Sequence, residues 1–207
     1  MPFAMFRRAS VRLIVLCVVA SVVISSLSQA QEPSGIPVFE IMPVSSTIAF
    51  DVEASVAIKG TFDKWDAKLT FTSTDVTTGV LDIKIQADSV DTGSGMKNGK
   101  LKGEKFFYTK QNPLITFKST KIVQTGSDTF EADGDFTIRG VTKPEKLTVT
   151  ISGHGTGSGA IKGKMAFDRK QYGMNSGIPF IKIADRVEVA VDLKAKRVSG
   201  PPVDLKQ

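Results

Sequence analysis

The chain has 207 residues, a formal net charge of +6, one histidine and one cysteine. Zinc and copper sites built from several cysteine or histidine ligands are therefore excluded. Three arginines belong to an N-terminal leader without acidic residues, so removing the leader lowers the net charge from +6 to +3. The lysines are scattered, and this weak, dispersed charge argues against nucleic-acid binding.

The first thirty residues are typical of a secretory signal peptide. Three arginines within residues 7–12 precede an apolar run at residues 13–27, which ends in Ser28-Gln29-Ala30, a small-x-small cleavage sequence. The run is shorter than the roughly 20 residues that span a bilayer. We expect cleavage near Ala30 and a periplasmic or secreted protein, with an uncleaved N-terminal anchor as the alternative. Cys17 leaves with the leader, so the mature chain forms no disulfide.

The rest of the chain alternates apolar and polar residues with a period of two, which is typical of strands with one buried face. Eight runs of this kind follow one another. Their apolar positions are Ile48, Phe50, Val52 and Ala54; Leu69 and Phe71; Leu81, Ile83, Ile85 and Ala87; Ile115 and Phe117; Phe130, Ala132, Gly134, Phe136 and Ile138; Leu147, Val149 and Ile151; Ile161, Gly163, Met165 and Phe167; and Val187, Val189, Val191 and Leu193.

Short polar turns rich in glycine separate these runs, for example residues 125–128, 140–144 and 153–159. Closely spaced strands with such turns predict an all-β fold, an antiparallel sheet that meanders or closes into a barrel. Residues 95–108 are the best candidate for a short helical or loop lid. We expect one domain over residues 31–198 and a flexible C-terminal tail over residues 199–207.

The apolar face could line a barrel or face lipid, because outer-membrane barrels show the same period. Two tyrosines and one tryptophan are too few for the aromatic girdles of such barrels, which favours an inward apolar face. Whether that face encloses a cavity or a packed core is left open by the pattern. The candidate cavity wall is Phe50, Val52, Phe62, Leu69, Phe71, Leu81, Ile83, Ile115, Phe117, Phe136, Ile138, Val149, Met165, Phe167 and Val189, and the candidate lid or rim is Met96, Lys97, Lys100, Leu101, Phe106 and Phe107.

Few residues point to catalysis. His154 lies in a glycine-rich turn, and residues 155–160 match the dinucleotide pattern Gly-x-Gly-x-x-Ala but precede a strand instead of a helix. The sequence has no Gly-x-Ser-x-Gly elbow. The carboxylates occupy the polar positions of the alternating runs, which we expect to face water. Asp168 and Arg169 could pair at a strand end, which we interpret as structural. We therefore expect a binding protein without a catalytic site, metal or cofactor.

Several motifs carry a family resemblance. Residues 137–144 (TIRGVTKP) resemble the signature turn of the YceI-like family, lipocalin-like exported proteins that bind polyisoprenoids. Residues 112–119, 167–174 and 185–189 resemble later segments of the family pattern, and Gly60-Thr61-Phe62 its early segment. The resemblance spans roughly residues 38–197. It departs at residues 96–101, where the aspartate and histidine of many members are replaced by a stretch with Lys97, Asn98 and Lys100.

The resemblance implies an extended antiparallel barrel of eight strands with an isoprenoid threaded through it. Its ligand and partner would be a polyisoprenoid or isoprenoid quinone. Transient contact with a membrane or membrane protein and pairing with a second copy in a homodimer are left open by the sequence. Because the aspartate and histidine are absent from residues 96–101, the polar contact that they make in other members is in doubt here. Two other functions stay open: an enzyme acting on a lipid in the same barrel, and a solid-cored β interaction module.

Overall fold

The computed structural model describes residues 35–55, 58–153, 155–177 and 182–205. Its strands are β1 (Val38–Ile41), β2 (Thr47–Ala54), β3 (Ile58–Phe62), β4 (Trp65–Thr70), β5 (Val80–Gln86), β6 (Val90–Asp91), β7 (Leu114–Gln124), β8 (Thr129–Ile138), β9 (Val141–Ser152), β10 (Ser158–Asp168) and β11 (Ile183–Ser199). The helix α1 (Gly95–Lys102) lies between β6 and β7. Short 3₁₀ turns occupy Pro43–Ser45, Val76–Thr78, Ala87–Ser89 and Arg169–Tyr172.

The strands form one curled antiparallel sheet in the order β4-β5-β7-β8-β9-β10-β11-β2-β3-β6, and β1 pairs with β11. β1 also packs against β4, which places the β4 end of the path close to β1 and its partner β11. The prediction of an all-β, antiparallel, lipocalin-like barrel with a short helix is confirmed. The described residues belong to the compact unit Glu32–Gln207, while the leader at residues 1–30 lies outside them and stays a prediction.

The described residues contain eleven strands instead of the eight expected. The eight apolar runs correspond to β2, β4, β5 and β7–β11, and the three additional strands are β1, β3 and β6. β1 and β6 have four and two residues, too short for alternation to be recognised. β3 has only Ile58 and Phe62 as buried apolar residues, with Gly60 between them. Its sequence therefore lacks the alternation of apolar and polar residues that would have predicted a strand.

The turn between β8 and β9 shows why the motif at residues 137–144 has its sequence. Arg139 and Gly140 have φ angles of +55° and +72°, the backbone of a type I′ turn, which matches the twist of the flanking strands. Glycine adopts this conformation without strain, and a Cβ at Gly140 would lie 2.7 Å from Asn112 Oδ1. The motif therefore fixes the register of the β8–β9 hairpin.

The predicted lid is present. Helix α1 is capped by Ser94, whose hydroxyl accepts a hydrogen bond from Lys97 N, and a turn carries the chain on to Phe106 and Phe107. Leu101, Phe106 and Phe107 are buried in the apolar core. Among the described residues, no helix is long and apolar enough to cross a membrane.

The C-terminal segment is docked instead of loose as far as residue 205. Gly200 turns the chain with a φ of +77°, and Pro201 is buried. Asp204 N then donates to Thr74 O at 2.8 Å, and Val76 N to Asp204 O at 3.4 Å. We call residues 201–205 the C-terminal strap. The sequence suggested a flexible tail because its prolines and short length hid the apolar contacts of Val203 and Leu205.

Candidate apolar binding site

One apolar cavity lies under the lid. It has a volume of about 60 Å³, and we call it the lid chamber. Eight residues of the candidate wall line it: Phe50, Val52, Phe62, Ile115, Phe136, Ile138, Phe167 and Val189. Leu101, Phe106 and Phe107 cover it from the lid side, so these three predicted lid residues do lie against the cavity.

The other predicted lid residues lie on the outside of the lid. Met96 is 75 % exposed, Lys100 is exposed and Lys97 is half-buried. The side chain of Asn98 accepts hydrogen bonds from Thr92 N and Thr92 Oγ1 and donates one to Asp91 Oδ1 at 3.1 Å. Asn98 therefore holds the helix against the end of β6. The hydrogen bonds that Asp91 Oδ1 accepts from the Asn98 side chain and from Gly93 N keep the pKa of Asp91 below its usual value.

A second apolar cavity, of about 150 Å³, lies at the opposite end of the barrel under the strap, and we call it the strap chamber. Leu69, Phe71, Leu81 and Val149 of the candidate wall line it. Sequence reasoning missed its remaining apolar lining, which includes Phe39, Val76, Ile122, Phe130, Ile151, Ile161, Pro202, Val203 and Leu205. Phe130, Ile151 and Ile161 were among the apolar positions of the predicted strands, whereas the sequence of the strap shows no alternation of apolar and polar residues.

A packed layer separates the chambers. On β5, for example, Leu81 lines the strap chamber and Ile85 the lid chamber, with Ile83 between them. The same order holds on β7, β8, β10 and β11. We call the residues between the chambers, together with Leu147 of β9, the partition layer: Ile83, Phe117, Gly134, Leu147, Gly163, Met165 and Val191. It contains the last three residues of the candidate wall, Ile83, Phe117 and Met165, all of them buried.

Two glycines make the partition layer tight. A Cβ on Gly134 would lie 2.8 Å from Phe117 Cζ, and one on Gly163 would lie 2.6 Å from Val191 Cγ2. Neighbouring side chains thus fill the space that these glycines leave. The interior consequently holds two chambers where the resemblance implied a single tunnel, because side chains of adjacent strands fill the space beside both glycines.

Aromatic rings pack in two clusters around the lid chamber. Phe50, Phe62 and Phe107 have ring centroids 5.6–6.3 Å apart, and Phe136, Phe167 and Tyr172 have theirs 5.0–5.5 Å apart. These are favourable tilted and edge-to-face separations. Burial, followed by the hydrogen bond from Tyr172 Oη to Glu145 Oε1, raises the pKa of Tyr172 above its ordinary value. Tyr172 thus stays neutral and packs against the wall residues Phe136 and Phe167.

Of the described residues that line the lid chamber, Arg169 alone is charged, and it is 6 % exposed. Its Nε donates to Ala184 O at 3.0 Å, its Nη1 to Met174 O and Ser176 O, and its Nη2 to Asp185 Oδ1 at 3.0 Å. The expected pair with Asp168 is wrong, because Asp168 Oδ1 accepts from Lys170 N instead and caps the 3₁₀ turn. These bonds commit the guanidinium to holding the chain around the chamber.

The chemistry of both chambers is that of hydrocarbon burial. Among the described lining residues, the side chains that carry charge are Arg169 in the lid chamber and Arg197 in the strap chamber. No carboxylate or histidine accompanies them in either described lining, and the described residues contain no cluster of acidic, histidine or cysteine side chains suited to a metal. The arrangement can exclude water and surround an apolar chain.

Comparison with known proteins decides the family. The model of the YceI-like domain matches residues 39–195, most of the chain. The protein belongs to the YceI-like family. Protein YceI of Escherichia coli is 33 % identical over 96 residues, 46 % of this chain and 50 % of that protein. A UPF0312 protein of Shewanella denitrificans is 31 % identical over 102 residues, 49 % of this chain and 51 % of that protein. The chain thus spans about half the length of the curated relatives it matches.

Solved structures show the same YceI-like fold. BcnA of Burkholderia cenocepacia superposes with a TM-score of 0.68 at 23 % identity, covering 75 % of this chain and 99 % of that one. A polyisoprenoid-binding domain from Saccharophagus degradans superposes with a TM-score of 0.63 at 15 % identity, covering 78 % of this chain and 99 % of that one. The lid chamber and the partition layer lie within the match to the YceI-like model, whereas Arg197 and the strap, which complete the lining of the strap chamber, follow its last residue, 195.

Proposed function

We propose that the barrel interior binds the hydrocarbon chain of a polyisoprenoid or isoprenoid quinone, and that the protein carries or sequesters this lipid in the periplasm or the medium. The observation that carries the proposal is the pair of apolar chambers in line along the barrel. A dry cavity of about 150 Å³ lined by aliphatic and phenyl groups admits an apolar molecule as large as benzene. Each buried methylene contributes about 0.8 kcal/mol.

A chain that occupies both chambers must displace part of the partition layer. Met165 is the side chain best suited to move, because it is unbranched and has three rotatable bonds. Phe117 would follow it, since its ring rests against the gap left by Gly134. Binding of a long chain thus exchanges contacts within the partition layer for contacts with the ligand, at little net loss of packing.

Binding is favoured over catalysis by the lining itself. Acid–base and nucleophilic chemistry needs a titratable or nucleophilic group within hydrogen-bond reach of the substrate. Among the described lining residues, the charged groups are guanidinium groups, which have no acceptor atom and already donate to backbone carbonyls. The family relation supports the same reading, because the solved relative from Saccharophagus degradans is described as a polyisoprenoid-binding domain.

The decisive experiment identifies the lipid. The protein is purified from its native host without detergent and extracted with organic solvent, and the extract is analysed by mass spectrometry. We expect an isoprenoid lipid in stoichiometric amount. An empty extract, together with failure to take up added polyprenol, contradicts the proposal, and an interior without ligand would favour a solid-cored interaction module.

Substitution of the wall tests where the lipid lies. Phe136→Asp in the lid chamber and Phe117→Asp in the partition layer place a charge in the apolar interior, and we expect both to abolish lipid co-purification. Val44→Asp is the matched control, because Val44 is fully exposed. Circular dichroism establishes that each variant is folded, and lipid retained by a folded Phe136→Asp protein shows that the interior is not the site.

Export has a separate test. Residues 1–30 have the three regions of a signal peptide, which supports cleavage after Ala30. N-terminal sequencing of the protein recovered from the periplasm or medium should then begin at Gln31. An intact N-terminus in a membrane fraction would favour the uncleaved anchor.

A further inference from the structure

The C-terminal strap closes one end of the barrel. After Gly200 the chain leaves β11 and reaches the loop before β5, where Asp204 forms a bridge with Asp75 and exchanges backbone hydrogen bonds with Thr74 and Val76. Arg197 Nη1 donates to Gly200 O at the start of the strap. The strap is thus attached at both ends across the barrel opening.

The strap also forms the outer wall of the strap chamber. Pro202, Val203 and Leu205 line the cavity, and Leu205 packs against the buried core. Val203 and Leu205 are half-buried, with one side toward the cavity. A hydrocarbon chain that advanced along the barrel axis from the lid chamber would meet these side chains last.

Charge indicates which end of a lipid points toward the strap. Residues 95–105, at the lid end, carry four lysines and one glutamate. At the strap end, Asp75 and Asp204 lie side by side, and Arg197, which lines the strap chamber, offsets one of these two negative charges. An anionic head group is therefore favoured at the lid end and disfavoured beside the strap, so the apolar terminus of the lipid faces the strap.

We propose that the strap is the end wall of the lipid site and sets the longest isoprenoid chain that the barrel encloses. The inference rests on the proposed function, because it specifies the length of the ligand that the interior holds. The strap follows the last residue that the family model matches, residue 195, so the proposed limit is set by a segment outside the matched domain.

Deletion of the strap tests the proposal. A protein that stops after Gly200 is compared with one that stops after Leu205, which keeps the strap. Both are stripped of lipid and offered an equimolar mixture of farnesyl, geranylgeranyl, solanesyl and undecaprenyl monophosphates, and the bound species are identified by mass spectrometry. Without the strap we expect the ratio of longer to shorter bound chains to rise about tenfold, the ratio produced by enclosing roughly two more methylene groups.

A point substitution gives the opposite shift without shortening the chain. Ala195 is 5 % exposed and lines the strap chamber, so Ala195→Leu fills part of it and should shift binding toward farnesyl and geranylgeranyl monophosphate. Ala190→Leu is the matched control on the same strand, because Ala190 is exposed. This variant decides the matter if the deletion protein fails to fold.

The outcomes separate the two proposals. If the full-length protein binds none of the four lipids, the proposed function fails. If it binds them but Ala195→Leu and the strap deletion leave the chain-length distribution unchanged, the end-wall proposal fails. An unchanged distribution with faster exchange in the deletion protein also overturns it, because the strap would then cover an entrance.

Discussion

Arg169 Nη2 and Asp185 Oδ1 are joined by a hydrogen bond of 3.0 Å at the edge of the lid chamber. Lys170 Nζ lies 2.7 Å from the other oxygen of the same carboxylate. The pair connects the 3₁₀ turn after β10 to the start of β11, on opposite sides of residues 173–182. Because the guanidinium is buried, its charge depends on this partner and on three backbone carbonyls.

Asp185→Asn should lower the melting temperature by several degrees at pH 7, because it leaves the buried charge of Arg169 without its anion. The hydrogen bond from Lys170 holds the pKa of Asp185 below its ordinary value of 3.8. The carboxylate therefore stabilises the fold above pH 3.8, and this contribution is lost as the pH falls through the lowered pKa. The difference in melting temperature between wild type and Asp185→Asn should therefore become smaller in acid. Asp66→Asn, at an exposed pair, is the control, and an equal effect there contradicts the prediction.

Tyr172→Phe should cost about 1 kcal/mol at pH 7 through loss of the hydrogen bond to Glu145. Burial raises the pKa of Tyr172 above its ordinary value of 10.0, so the folded protein keeps the proton at a pH where the unfolded chain releases it. The free energy of unfolding of the wild type should therefore fall as the pH rises above 10.0, because the unfolded chain releases the phenol proton there. Tyr172→Phe has no such proton, so its free energy of unfolding should fall less over the same range. Urea titrations at pH 8 and at alkaline pH measure the difference. Tyr108→Phe is the control, and a parallel decline in wild type and Tyr172→Phe contradicts the assignment.

Gly163→Ala should lower the free energy of unfolding by about 1–3 kcal/mol, because the added methyl overpacks the partition layer. Its Cβ would lie 2.6 Å from Val191 Cγ2 and 3.0 Å from Leu147 Cδ1. Gly99→Ala in α1 meets nothing within 4 Å and should raise stability by up to about 1 kcal/mol. Urea denaturation distinguishes the two, and equal effects would show that the partition layer is loose.

Arg139→Asn should speed lipid release about tenfold, because it frees the lid. Arg139 Nη2 donates to Glu104 O at 2.9 Å and Nη1 to Gly173 O at 3.0 Å, which ties the lid to the turn after β10. Asparagine tolerates the positive φ of this position. Transfer of a bound fluorescent polyprenol to vesicles measures the rate, and exposed Arg186→Asn is the control. An unchanged rate would place the exit elsewhere.

Sequence periodicity predicted the inward face of the long strands well. The wall residues from Phe50 to Val189 lie inside the barrel because side chains alternate strictly along a strand. The lid was predicted from the amphipathic stretch at residues 95–108, of which Leu101, Phe106 and Phe107 face the core. Strands β1 and β6 were missed because four and two residues show no period, and the partner of Arg169 was missed because Asp185 is distant in sequence.

The amino-acid sequence by itself determined the fold class, the family and which side of each strand faces inward, because these depend on local alternation and on motifs within a few residues. Only the tertiary structure decided that the interior is divided at Phe117 and Met165 and closed by Val203 and Leu205. Those features depend on contacts between neighbouring strands, such as Gly163 with Val191, and between the strap and the loop before β5, which lie far apart in the chain. Their distances are set by the register and curvature of the whole sheet, which no single segment encodes.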